Sequence, residues 1–195
     1  MGSGGMFAHP VEIDPGELCY EPFKENSDVR QFDSGTPDLD EFLCTDEVRE
    51  YDRQNLGRTF LVYYSGSLVA YYTTLVDGLR LEYLLDKKTS KSYVKLGRVV
   101  VDKIPRVKIG RLAVQTAWKG KGVGRHIIRH IIGYALSLSK DTAIRLIIAE
   151  AKPQSLDFYL KCGFQLTVET RGERKRRNRT VFFDLQQVAM DEKPD

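Results

Sequence analysis

Three alternating glycines run into the start of an amphipathic segment near residue 120, and few backbone arrangements can use that sequence. In Lys119-Gly120-Lys121-Gly122-Val123-Gly124 the glycines permit positive φ and let the main chain approach a ligand closely. After them Val123, Ile127, Ile131, Ala135 and Leu138 recur at spacings of three and four, with Ile128 and Ile132 widening the apolar face. Lys121, Arg125 and Arg129 fall elsewhere, so the spacing predicts a helix over 122–139 that packs on a sheet with its basic amino end exposed. Free N–H groups in a first helical turn, aided by the helix dipole, favour an anion. With Lys119, Lys121 and Arg125 around it, the turn is expected to hold a pyrophosphate, although glycines that only cap or pack the helix are the alternative. Two nucleotide motifs fail on spacing. The dinucleotide pattern G-x-G-x-x-G meets Arg125 three residues beyond Gly122, and no glycine here precedes the Lys and Ser or Thr of a P-loop.

Around this turn the chain reads as one series of elements. Cys19 to Phe23 predicts a strand. Thr36 is placed to cap a helix with Pro37 at its first position, where a missing N–H costs nothing; Leu39, Phe42, Leu43, Val48 and Tyr51 carry its apolar stripe to about Gln54. Arg58–Tyr64 and Leu68–Val76 are rich in β-branched and aromatic residues and flank Ser65-Gly66-Ser67, which predicts a hairpin. Leu79 to Leu85 fits a strand or a short helix, and Lys87 to Ser92 a polar loop. Further strands are expected at Val107–Val114, Ile144–Ala151, Phe164–Thr170 and Thr180–Leu185, with a short helix at Pro153–Cys162. That order is an α/β or α+β layout with a mixed sheet.

Composition bounds the class. The chain has 195 residues, 42% of them hydrophobic, which suits one domain over 6–195, with residues 1–5 an expected expression-tag remnant. No apolar run approaches the roughly 20 residues of a membrane span and no secretory signal opens the chain. A cytoplasmic location without membrane association is the expectation. Cys19, Cys44 and Cys162 lack metal-ligand spacing, and His126 and His130, four apart, lack the glutamate and third ligand of a zinc helix, so no metal is expected. The net charge of +3 conceals an asymmetry: residues 1–97 carry about −7, residues 98–180 about +13 and residues 181–195 about −3. A phosphate-rich partner would be drawn to the second half.

Gly110-Arg111-Leu112-Ala113-Val114, the glycine turn, and Phe158-Tyr159-Leu160-Lys161-Cys162-Gly163-Phe164 together resemble, in order and spacing, the signature segments of the GNAT family of N-acetyltransferases, over about residues 106 to 170. The resemblance implies the GNAT fold, a central mixed, mostly antiparallel sheet flanked by helices, and acetyl-CoA as acetyl donor. It further implies that the backbone of Leu112, Ala113 and Val114 pairs with the pantetheine arm. Lys119, Gly120, Lys121, Gly122, Val123, Gly124 and Arg125 would hold the pyrophosphate. Lys119 stands where the family usually has Gln or Arg, which keeps a cation, and Lys152 stands roughly where it commonly has Asn. Tyr159 matches the family tyrosine whose hydroxyl protonates the departing thiolate after an amine attacks; a tyrosine packed in the core is the alternative.

A general base is harder to assign. Lys103 to Val114 contains no acid, and Glu150, at the end of the next strand, is the nearest candidate by topology, with a solvated or paired carboxylate as the alternative. Without a base, the acceptor amine must be of low pKa, as in an α-amino ester. Phe32-Asp33-Ser34-Gly35, Leu39 to Leu43, Arg58 to Val62, Ala70-Tyr71-Tyr72 and Ala149-Glu150-Ala151-Lys152 are similar to the toxin branch of the family, whose members acetylate the α-amine of aminoacyl-tRNA. That resemblance implies an antitoxin protein as partner, and the family commonly forms homodimers. The run Arg171 to Arg179, with six cations and one acid, suits RNA phosphates or a solvated hairpin tip. Three functions stay open: acetyl transfer to aminoacyl-tRNA, acetyl transfer to a protein or small amine, and a non-catalytic acetyl-CoA sensor.

Overall fold

The computed structural model describes residues 13–80, 103–167 and 177–191. Seven strands form one sheet: β1 (Leu18–Pro22), β2 (Arg58–Tyr64), β3 (Ser67–Arg80), β4 (Lys103–Val114), β5 (Leu146–Ala151), β6 (Gln165–Leu166) and β7 (Arg179–Asp184). Their order is β1-β2-β3-β4-β5-β7-β6. Only β4 and β5 run parallel; the other neighbours are antiparallel. The mixed, mostly antiparallel sheet expected from the sequence is therefore present.

Local chemistry explains most boundaries. Ser65 and Gly66 both take positive φ, 48° and 78°, the turn whose twist matches that of a hairpin. The single helix expected over 37–54 is instead two, α1 (Pro37–Cys44) and α2 (Glu47–Arg53). Thr45 adopts an extended conformation, and its Oγ1 accepts the N–H of Glu47 at 3.3 Å, a local bond that competes with helix continuation. Nor does the Thr36 side chain cap α1. Asp40 reaches back instead, accepting the N–H and Oγ–H of Ser34 at 2.9 and 2.6 Å. The strand expected over 164–170 is only the two residues of β6, and 168–170 lie outside the described residues, as do 1–5, 81–102 and 171–176 with the expectations placed on them.

Helix α3 (Val123–Leu138) covers one face of the sheet, as its periodicity requires. Val123, Ile127, Ile128, Ile131 and Ala135 are buried against Val107, Ile109, Ile147 and Ala149, each large apolar side chain contributing roughly 1.5–3 kcal/mol. On the opposite face α1 and α2 pack Phe42, Leu43 and Val48 onto Leu61, Tyr71 and Ala113. Two shorter helices, α4 (Leu156–Lys161) and α5 (Gln186–Asp191), complete the described α-helices. A pair of side chains closes the far end of β5 and β7: Arg145 donates twice to the buried carboxylate of Asp184, at 2.6 and 3.0 Å.

Tyr71 fixes α1 to the sheet. Its buried hydroxyl donates to the Leu39 carbonyl at 2.6 Å, and desolvation keeps the phenol protonated far above its ordinary range. Tyr71→Phe should leave that carbonyl without its donor and lower the free energy of unfolding by about 1–2 kcal/mol, read from urea denaturation.

Candidate active site

The sheet opens at its centre. β4 and β5 pair from Arg106–Leu146 to Ile109–Ala149 and no further, while the rest of β4 stays with β3 and the rest of β5 with β7. The parting coincides with a bulge, where the register passes from Thr74↔Ile109 to Thr73↔Arg111 and leaves Gly110 as the extra residue. Bulges bend and twist the strand that carries them. Leu112, Ala113 and Val114 thus present a main-chain edge with no strand beside it on the β5 side. Their side chains do other work: Ala113 is buried in the α1–α2 core, and Leu112 and Val114 pack on the α3 core.

Beyond β4, one 3-10 turn (Thr116–Trp118) leads into the glycine turn. Gly122 caps α3 at φ 87°, a left-handed conformation that costs other residues about 1–2 kcal/mol. No side chain caps this helix and no acid stands in its first turn. The N–H groups of residues 120 to 124 find no backbone acceptor among the described residues. A 16-residue helix so exposed at its positive end is built for an anion. Gly124 serves packing: a Cβ there would lie 3.1 Å from the Phe158 ring, so the helix could not approach α4 as closely.

Around the turn lies a cleft of about 940 Å³. Val114, Lys119, Gly120, Lys121, Gly122, Val123, Gly124 and Arg125 line it, whereas Leu112 and Ala113, expected beside Val114, do not. It adds Ile13, Pro15, Trp118, His126, Arg129 and Phe158. Arg129 was legible as the next basic residue on the helix face; nothing in the local pattern marked Ile13, Pro15 or Trp118. The Lys121 ammonium sits over the Trp118 ring at 4.7 Å. Burial, with the charges of Arg129 and Arg125, holds His126 below the ordinary imidazole range, as expected where cations converge. Lys119 differs from these: its ammonium donates to the Ser34 carbonyl at 2.6 Å.

Tyr159 is not on the cleft wall. Its ring lies in the α3 core between Phe158 and Phe164, at centroid distances of 5.2 and 5.3 Å. The hydroxyl has no hydrogen-bond partner among the described residues, and burial raises its pKa well above that of free tyrosine, with Cys162 adding to the effect. It is a neutral phenol, two helical positions before the basic end of α4. Glu150 is paired: Lys108 donates to it at 2.8 Å across β4 and β5. Lys152 is paired too, its ammonium 2.9 and 2.7 Å from the two carboxylate oxygens of Asp38. Arg111 stacks on Phe42 at 3.5 Å and bonds Glu47 at 3.1 Å. His130, four residues after His126, stacks on Tyr20 at 3.7 Å. Among the described residues no helix is long and apolar enough to cross a membrane.

Comparison with known proteins agrees with this fold. The family model described as "Acetyltransferase (GNAT) family" matches residues 25–164. A tRNA-acetylating toxin of Mycobacterium tuberculosis (strain ATCC 25618 / H37Rv) is 26% identical over 141 residues, which is 72% of this chain and 80% of that protein. Among solved structures, AtaT complexed with acetyl-methionyl-tRNAfMet superposes with a TM-score of 0.75 at 24% identity, covering 90% of this chain and 99% of that one. AtaTR bound with AcCoA gives a TM-score of 0.71 at 23% identity, covering 91% and 99%.

If the bare helix end and its cations form one anion site, Lys121→Gln and Arg125→Gln should each weaken binding of a diphosphate ester such as ADP by about tenfold. Titration calorimetry at low and high salt reads this, with the two substitutions also reducing the salt dependence.

Proposed function

Because the chain belongs to the GNAT family of acetyltransferases, we propose that it transfers an acetyl group from acetyl-CoA to the α-amine of aminoacyl-tRNA. The observation that carries the cofactor half is the junction of two unsatisfied backbones: the free edge of Leu112 to Val114 and the uncapped start of α3. An amide-bearing pantetheine arm suits the first and a pyrophosphate the second. The main chain from Lys119 to Gly124 would hold that pyrophosphate, with the side chains of Lys121 and Arg125 neutralising it. Bound there, acetyl-CoA supplies a thioester carbonyl open to attack by a neutral amine.

Tyr159 is proposed to deliver the proton that the leaving sulfur requires as the C–S bond breaks, and to regain one when the attacking nitrogen sheds its proton on forming the amide. Burial keeps its hydroxyl protonated, and with no partner among the described residues that hydroxyl is free to donate. Among the described residues the strand-end carboxylate of Glu150 is engaged by Lys108. An amine that is substantially neutral at physiological pH is then the fitting acceptor. An α-amine, with an ordinary pKa near 7.7–8.0, meets that condition where a lysine side chain near 10.4 does not. The charge of about +13 on residues 98–180 favours an RNA carrier for that amine, and the tRNA-acetylating relative supports the same acceptor. A protein antitoxin and a second copy of the chain are the further partners of this reading, and the cytoplasm is its place of action.

Purified protein with labelled acetyl-CoA should label aminoacylated tRNA and leave uncharged tRNA unlabelled; equal labelling of both, or of neither, would contradict the proposed acceptor. Tyr159→Phe should lower kcat by about 100-fold or more while the acetyl-CoA Kd stays within about threefold. Unchanged turnover would return Tyr159 to a packing role.

A further inference from the structure

Lys119 belongs to the glycine turn by sequence, yet its side chain is committed elsewhere. The ammonium lies 2.6 Å from the carbonyl of Ser34, a residue only 1% exposed. Thr116, three residues earlier, fastens the same loop: its N–H and Oγ1 both donate to the Asp33 carbonyl, at 2.8 and 3.1 Å. From Ser34 the path continues into α1, because the N–H and hydroxyl of Ser34 donate to Asp40. From its other side α1 is held by Asp38, which accepts the Lys152 ammonium just past the end of β5. Helix α1 is therefore tied both to the glycine turn and to the strand beyond the gap between β4 and β5.

The three lysine and arginine side chains of the turn are not equivalent in this setting. Lys121 rests on an aromatic face, and Arg125 makes no ion pair among the described residues, so both can swing to an anion at little cost. Drawing Lys119 away would strip a buried carbonyl of its charged donor, a loss that a phosphate contact must first repay. We propose that Lys119 is a positioning residue, which couples the cofactor turn to helix α1 on the other face of the sheet, and that it is not a ligand of the pyrophosphate. The proposal rests on the reading of the cleft as the acetyl-CoA site. When the main chain of the turn closes on a pyrophosphate, the Lys119–Ser34 bond transmits that ordering to residues 33–44, which makes cofactor binding a condition for a well-ordered helix α1.

The test compares the wild type with Lys119→Met, Lys119→Arg, Asp40→Asn and, as contrast, Lys121→Met. Coenzyme A affinity is measured by calorimetry and backbone hydrogen exchange of residues 33–44 with and without coenzyme A. Lys119→Met should keep the coenzyme A Kd within about threefold, while exchange at 33–44 rises about tenfold and loses its response to the ligand. Its kcat/KM for the acceptor should fall by about tenfold with the acetyl-CoA KM unchanged, and Lys119→Arg should restore most of the loss. Asp40→Asn, which cuts the next bond of the path, should reproduce the exchange change without altering coenzyme A affinity. Lys121→Met should do the reverse. The proposal is overturned if Lys119→Met weakens coenzyme A as much as Lys121→Met and leaves residues 33–44 unaltered. Should Lys119→Met fail to fold, Asp40→Asn and the wild type decide: coenzyme A binding without added protection at 33–44 overturns the coupling alone. A wild type that binds no coenzyme A overturns the reading of the cleft, and this proposal with it.

Discussion

Hydrogen bonding between β4 and β5 stops at Ile109 and Ala149, and the main chain beyond those residues must find other partners. Buried backbone groups are rarely left unpaired in a folded protein, so a sheet that parts in its middle leaves a vacancy in its bonding as well as in its packing. Gly110, the extra residue of the bulge, places the parting immediately before Leu112 to Val114. The same strand then delivers the chain to the glycine turn, so the open edge and the uncapped helix end are separated by only a few residues. Neither feature alone is distinctive. Joined, they suit a long ligand with amides at one end and a pyrophosphate at the other.

Charge is distributed to match. On the α3 side of the sheet the cations Lys121, Arg125 and Arg129 line the cleft without a neutralising acid in the first turn of the helix. On the α1 side three cations near the gap are balanced: Lys108 by Glu150, Arg111 by Glu47, Lys152 by Asp38. These three pairs are partly exposed, so their worth lies less in stability than in fixing which element stands beside which. One face thus gathers cations without neighbouring acids and the other carries paired charges; in the proposed reaction the first receives the cofactor and the second the amine.

Much of this was legible from residue spacing. The helix over 122–139 and the basic turn before it follow from three-and-four periodicity, and the hairpin around Ser65 and Gly66 from turn chemistry. What could not be read was tertiary. The break between α1 and α2 depends on an extended Thr45 whose hydroxyl takes the Glu47 N–H. The lysine in the family's cation position was legible as a cation, but its commitment to Ser34, 85 residues earlier, was not, because spacing along a chain says nothing of which distant carbonyl lies within reach. Trp118 and Ile13 enter the cleft for the same reason. Tyr159 is the converse: its motif pointed to chemistry, and the fold surrounds its ring with aromatic neighbours while leaving its hydroxyl unpartnered among the described residues.

The most direct test of the central claim is a crystal structure of the chain with coenzyme A. The pantetheine arm should run along the main chain of Leu112 to Val114 in the gap between β4 and β5, with the pyrophosphate over the N–H groups of residues 120 to 124. A ligand bound elsewhere, or a gap closed by continued pairing of β4 with β5, would contradict it.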